Sequence, residues 1–140
     1  TTGGGYRTDG VDVVATLDDA LVRITPGGID TVTLGTANLA DWDVRDGWTA
    51  YARRTNGSLA SEVWLVSPAG VQTNVSALFD SAVLRALGPG GQVVFQASGR
   101  LWLYTPGGTA VDIASDSGRP VWRNGELYIL LANSVFRVIR

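Results

Sequence analysis

The chain contains no cysteine, histidine, methionine or lysine, and all eleven of its basic residues are arginine. Without cysteine there is no disulfide, no thiolate nucleophile and no thiolate metal ligand. Without histidine and lysine the usual general bases and the usual nitrogen ligands for zinc are gone as well. The lack of methionine reads as a processed or excised piece of a longer chain. Charged residues make up only 17% of the 140, and the formal net charge is −2. No stretch is strongly basic, so nucleic acid is not expected as a partner. The apolar runs are short and interrupted, so no membrane span is expected, and no signal peptide is visible. An arginine-only chain rich in Ala, Gly and Val suggests a GC-rich bacterial genome, which is a coding bias rather than a physical argument.

What is present is β-structure. Hydrophobic residues are 45% of the chain, enough for a core, and there are eighteen glycines. The apolar stretches are short, rich in Val, Leu, Ile and aromatics, and bounded by Gly, Pro, Asn or Asp, which is the signature of strands. No segment keeps a 3.6-residue apolar period over three turns; the best helical candidate is Val75–Leu87.

One phrase returns along the chain. Glu62-Val63-Trp64-Leu65-Val66-Ser67-Pro68-Ala69-Gly70 is repeated by Arg100-Leu101-Trp102-Leu103-Tyr104-Thr105-Pro106-Gly107-Gly108. Ala20-Leu21-Val22-Arg23-Ile24-Thr25-Pro26-Gly27-Gly28 repeats it with Val for Trp, and Ser134–Ile139 begins it again. A second marker, a Gly-containing turn before an apolar strand, precedes each copy: Asp9-Gly10, Asp46-Gly47, Gly90-Gly91 and Asn124-Gly125. Two markers in the same order at a spacing of roughly 40 residues indicate propeller blades of four short antiparallel strands. Asn-Gly and Asp-Gly supply the positive φ of two-residue hairpin turns, and Asp18-Asp19 and Asn133 are expected to turn similarly.

The expected fold is therefore all-β, a β-propeller of four-stranded antiparallel blades. About four blades are present, at about 5–38, 39–79, 80–117 and 118–140. The expected strands are Gly5–Thr8, Val11–Leu17, Ala20–Ile24 and Ile29–Leu34; Asp41–Arg45, Trp48–Arg53, Glu62–Val66 and Val71–Ser76; Ala82–Leu87, Gln92–Gln96, Leu101–Tyr104 and Ala110–Ala114; and Pro120–Arg123, Glu126–Leu131 and Ser134–Ile139. The last blade lacks its outer strand. Three consecutive glycines at Gly3–Gly5 make a poor replacement, and a bare third strand would leave an apolar edge. Three outcomes fit: the C-terminal part of a longer propeller, closure by association (two copies giving eight blades), or a self-contained four-bladed form.

These residues also resemble a known family. The pattern of strand, Asp-Gly, apolar strand, Trp-Leu-x-Ser/Thr-Pro-x-Gly, strand is similar to the WD40-like repeats of TolB and of the propeller domains of prolyl-oligopeptidase-type peptidases. Pro120-Val121-Trp122-Arg123-Asn124-Gly125-Glu126-Leu127-Tyr128-Ile129 looks like that family's innermost strand, turn and second strand. The resemblance implies the fold, and it implies one alternative function, the accessory propeller of a secreted hydrolase whose catalytic domain lies elsewhere.

Candidate chemistry is sparse. Arg7, Arg45, Arg85 and Arg123 each fall near the end of a first strand, which in a propeller is innermost. Four guanidiniums there could ring the channel mouth and hold a carboxylate or phosphate, or they could be solvated strand ends paired with Asp. Trp42 and Trp122 on the same strands are further candidate ligand contacts. Trp64 and Trp102 read as packing between blades. Asp41, Asp43 and Asp46 offer oxygen ligands suited to Ca²⁺, at a spacing that matches no known loop motif, so no metal and no cofactor is expected. Thr1 would be a nucleophile only in an autoprocessed chain. Serines have no activating base in sight. Asn56-Gly57-Ser58 and Asn74-Val75-Ser76 match the glycosylation pattern, which a bacterial chain would leave idle. The loop Arg54–Ser61 is the longest insertion and the expected specificity loop. The expected function is a non-catalytic module, extracellular or periplasmic, that presents loops and channel mouth to a protein, peptide or glycan. A multivalent lectin is a third reading.

Overall fold

The structure, a computed structural model, describes residues 5–55 and 59–139. Its fifteen strands fall in four antiparallel sheets, each made from one contiguous stretch of chain. Sheet I holds β1 (Tyr6–Thr8), β2 (Val13–Leu17), β3 (Ala20–Thr25) and β4 (Gly28–Leu34). Sheet II holds β5 (Leu39–Arg45), β6 (Trp48–Arg54), β7 (Ser61–Val66) and β8 (Gln72–Asn74). Sheet III holds β9 (Val83–Leu87), β10 (Val93–Ala97), β11 (Arg100–Tyr104) and β12 (Val111–Ser115). Sheet IV has three strands, β13 (Arg119–Arg123), β14 (Glu126–Leu130) and β15 (Val135–Arg137). Strand order follows chain order in every sheet. The architecture is all-β, with four blade-like units, the last smaller.

Turn chemistry explains the hairpins. Asp18-Asp19, Asp46-Gly47, Ser98-Gly99 and Asn124-Gly125 each place two successive residues at positive φ, between 50° and 80°. That is the type I′ conformation, whose twist matches the flanking strands and which Asp, Asn and Gly tolerate best. Asp9-Gly10 departs from the expected two-residue turn. The Asp9 carboxylate accepts the backbone N–H of Val11 and of Asp12 at 3.0 and 2.8 Å, which holds 9–12 as a wider turn and delays β2 to Val13. Val75–Leu87 is not helical. β8 stops at Asn74 because the Asn74 side chain accepts from both the N–H and the hydroxyl of Ser76, and the buried Ser76 hydroxyl in turn accepts the N–H of Val63. A side chain thus takes over the ladder.

The core lies between sheets rather than within one, in three apolar clusters. Val14, Leu21 and Val32 of sheet I meet Val44, Tyr51 and Val66 of sheet II. Ala50, Val63 and Leu65 on the other face of sheet II meet Leu84, Val93 and Phe95 of sheet III. Val94, Leu101 and Leu103 of sheet III meet Leu127 and Ile129 of sheet IV. Alternation along each strand provides both apolar faces. Trp64 lies directly across from Tyr51, with rings stacked at 6.4 Å, on the side facing sheet I. Trp102 lies across from Phe95 and touches Phe79 of the preceding segment at 4.7 Å, on the side facing sheet II. The two tryptophans occupy the same register position and fill successive junctions.

Polar groups stitch the same junctions. Arg23 on β3 is only 5% exposed. It donates to the backbone carbonyls of Gly47, Ser67 and Pro68 in two turns of sheet II, at 3.3, 3.0 and 3.1 Å. The Asp9 carboxylate accepts the N–H of Gly47, and that of Asp46 accepts the N–H of Gly90, so the first turns of sheets I, II and III are tied in succession. Replacing Arg23 with Met strands three carbonyls at a buried junction and is expected to lower stability by about 2–4 kcal/mol. Arg100→Met, which removes a surface pair with Asp112 at 3.0 Å, should cost about 0.5 kcal/mol or less. Equilibrium urea unfolding of the two variants measures the contrast.

Candidate functional site

The first strands of successive sheets lie beside one another, β1 against β5, β5 against β9 and β9 against β13. They enclose a small cleft of about 140 Å³, lined by Arg7, Asp41, Trp42, Asp43, Arg85 and the backbone segment around Leu84–Leu87. Arg7, Arg85 and Trp42 thus come together, as the innermost position of their strands requires. The four arginines do not share one register position. Arg45 and Arg123 pair with the first residue of the following strand, Trp48 and Glu126. Arg7 pairs with Val14, the second residue of β2 and so one position further in. Arg85 sits at a register shift in β9, between Leu84, which pairs with Phe95, and Ala86, which pairs with Val94. The wider turn at Asp9 and that shift produce the difference.

Each candidate side chain has local contacts. The Arg7 guanidinium lies 5.7 Å from the centre of the Trp42 ring, within cation–π range, and donates to the Tyr6 carbonyl. Arg85 donates to Gln96 Oε1 and to the carbonyls of Asp116 and Gly118 in the link to sheet IV. Arg45 reaches the Leu87 carbonyl of sheet III at 3.5 Å. Arg123 is exposed at the β13–β14 turn. Trp122 packs against Gly88, where a Cβ would meet the indole at 2.3 Å, so the ring is wedged into the junction between sheets III and IV. Trp42 is packed against the cluster between sheets I and II.

The acidic cluster divides. Asp41 and Asp43 share the face of β5 that carries Ala52 and Ala50 across from them. Asp46 points to Gly90 instead. Among the described residues no three His, Cys, Asp or Glu side chains converge on a common point suited to a metal ion. Burial raises the pKa of Asp43 from its ordinary value, and the Asp41 charge adds to this; the Val44 N–H, Arg7 and Arg45 offset only part of it. Asp9 goes the other way. Burial alone would raise it, but N–H donors from Asp12, Gly47 and Val11 prevail and lower it.

Two larger grooves lie further out, between the outer part of one sheet and the third and fourth strands of the next. The groove between sheets I and II has a volume of about 270 Å³ and is lined by Arg23, Asp30, Thr31 and Gln72. Gln72 is fixed there, accepting from Tyr51 Oη at 2.6 Å and donating to the Val32 carbonyl at 2.7 Å. The groove between sheets II and III has a volume of about 500 Å³ and is lined by Val75, Leu78, Phe79, Trp102 and Tyr104. Sequence reasoning missed this groove. Its signal was the apolar run Ala77-Leu78-Phe79 in a segment that forms no strand.

Thr1 and Asn56-Gly57-Ser58 lie outside the described residues, as does the middle of the loop 54–61. Asn74, in the second glycosylation pattern, is half-buried and is occupied by Ser76 and Glu62. Among the described residues no helix is long and apolar enough to cross a membrane.

No known protein-family model matches the chain, and no curated protein matches it. The repeated four-stranded sheets are those of a propeller-like architecture in general.

The two shifted carboxylates give opposite pH signatures. A raised folded pKa means that Asp43 is neutral in both states below 3.8, and that its ionisation penalises the fold as pH rises through the folded value. Asp43→Asn should therefore be more stable than the parent at neutral pH and equal to it below 3.8. A lowered folded pKa means that Asp9 stabilises the fold above 3.8, a contribution lost as pH falls through the folded value. Asp9→Asn should be less stable at neutral pH, with the gap closing in acid. Urea midpoints between pH 3 and 7 test both signs.

Proposed function

We propose that the chain is a non-catalytic binding module for a protein or peptide ligand, with the groove between sheets II and III as its recognition surface. Size and chemistry support this choice. Ligand clefts run from about 300 to 1,000 Å³ and are mostly apolar with a few polar groups. The 500 Å³ groove falls in that range, with Phe79, Trp102 and Tyr104 as its aromatic wall. The cleft among the first strands, at about 140 Å³, falls below that range, and Asp41 and Asp43 there balance Arg7 and Arg85. Anion binding at the channel mouth is therefore the weaker reading.

The observation that carries the proposal is Leu78. It is 92% exposed at the lip of the groove, beside the buried Val75 and the half-buried Phe79. Leu78 extends the apolar lining of the groove onto the open surface, and a contiguous apolar patch of this kind marks an interaction site. A multivalent lectin would need like sites in successive junctions. The polar lining of the groove between sheets I and II and the aromatic lining of the next do not repeat.

A displayed library of random dodecapeptides selected on the chain tests the reading. Selected peptides should be rich in apolar or aromatic residues. Their affinity should fall at least about tenfold for Leu78→Glu and for Thr109→Arg, which blocks the groove from the other lip. Peptides that bind both variants as tightly as the parent would remove the groove from consideration. The parallel change Arg7→Ala with Arg123→Ala should leave this binding intact.

A further inference from the structure

The outer face of sheet I carries no charge. Register places Leu17, Ala20 and Leu34 in one row, Tyr6, Ala15, Val22 and Thr31 in the next, and Thr8, Val13, Ile24 and Ile29 in the third. Tyr6, Leu17, Ile29 and Leu34 are 66%, 50%, 62% and 68% exposed, while Ala20 and Val22 on the middle strand β3 are buried. The middle row is the register equivalent of Trp42, Tyr51, Trp64 and Asn74 in sheet II, and of Leu84, Phe95, Trp102 and Asp112 in sheet III. In sheets II and III that face is covered by the sheet before it. Sheet I has the same kind of face, and among the described residues no apolar cluster joins it to sheet IV.

The far face of sheet IV is its counterpart. It presents Val121, Tyr128, Leu130 and Val135 together with Arg119, Arg123 and Arg137 and a single carboxylate, Glu126. Arg137 pairs with Tyr128 as Arg23 pairs with Val14, and in both sheets this residue of the second strand is one step before the position that meets the row above. Arg137 therefore stands where Arg23 stands, on the face that leads to the next sheet. Arg23 is buried because sheet II supplies carbonyls from the β5–β6 turn and from Ser67-Pro68. Sheet I has the matching acceptors in the 9–12 turn and in Thr25-Pro26, which repeat Ser67-Pro68 in sequence and position. Charge agrees as well: the basic face of sheet IV would meet a sheet whose bordering turns carry Asp9, Asp12, Asp18 and Asp19.

We propose that sheet IV of one copy docks on the outer face of sheet I of a second copy, with Arg137 inserted into the turns of the partner as Arg23 is inserted into those of sheet II. The contact is heterologous, and two copies close it into a ring of eight sheets, within the span of known propellers. It continues the internal junction of sheets I and II and covers the exposed apolar residues of both faces at once.

The test is the solution mass of the 140-residue chain by sedimentation velocity at micromolar concentration. The parent should sediment at twice its 14.8 kDa chain mass. Arg137→Glu and Ile24→Arg each spoil one of the two faces, and each should weaken self-association at least about 30-fold. Because each variant keeps the face the other has lost, an equimolar mixture should form a dimer where neither does so alone. Far-ultraviolet circular dichroism checks that both are folded, and Ile29→Arg at the more exposed neighbouring position replaces Ile24→Arg if that variant is not. A parent that remains at 14.8 kDa overturns the proposal. So does an Arg137→Glu chain that still pairs with itself, or a mixture of folded variants that does not associate.

Discussion

A thin sheet that is apolar on both faces must have a neighbour on each side. That constraint governs this molecule. Alternation along β6 sends Tyr51 toward sheet I and Ala50 and Ala52 toward sheet III, and β10 and β11 divide their residues in the same way between sheets II and IV. No sheet can hide its own side chains, because four short strands have no second layer of their own. Sideways stacking solves the problem at every internal junction. It also determines where polar groups can go: they occupy the turns at the rims, where Arg23, Asp9 and Asp46 bind the backbone of the next sheet.

The junctions share a plan but differ in filling. Between sheets I and II, Trp64 stacks nearly parallel on Tyr51, and an arginine closes the rim. Between sheets II and III, Phe79 meets Phe95 edge-on at 5.5 Å and Trp102 at a tilt, while Trp48 lies over Gly91 where a side chain would collide with it at 2.6 Å. Between sheets III and IV, Trp122 lies over Gly88. The Gly88–Gly91 segment thus has an indole on either side, one from the sheet before and one from the sheet after. Its glycine content is set by that double approach as much as by the positive φ of Gly90 and Gly91. Variation of this kind leaves one groove polar and the next aromatic.

Most of the fold was legible because its signals are local. Asp-Gly and Asn-Gly mark hairpins through backbone sterics alone, and the recurring Trp-Leu-x-Ser/Thr-Pro phrase marks the third strand of a sheet. Strand ends were less legible where a side chain competes with the backbone. The Asp9 carboxylate delays β2, and the Ser76 hydroxyl ends β8 early. The candidate site was less legible still. Counting positions along the chain aligned Arg7, Arg45, Arg85 and Arg123, but cross-strand register separates them, because one wider turn and one register shift each move a side chain. The aromatic groove depends on the path of a segment with no periodicity, residues 75–81, and such a path is decided by tertiary contacts.

Every sheet is built from a single uninterrupted stretch of chain, and among the described residues the apolar clusters join only successive sheets. Native pairings therefore close short loops, which lowers the entropic barrier to forming any one unit and favours rapid, modular folding. Stability in such an array is the sum of unit terms and nearest-neighbour coupling terms. In a chain on its own, unfolding then begins at a terminal unit, and the three-stranded sheet, with the fewest ladder bonds to lose, is the end from which amide protons should first exchange with solvent.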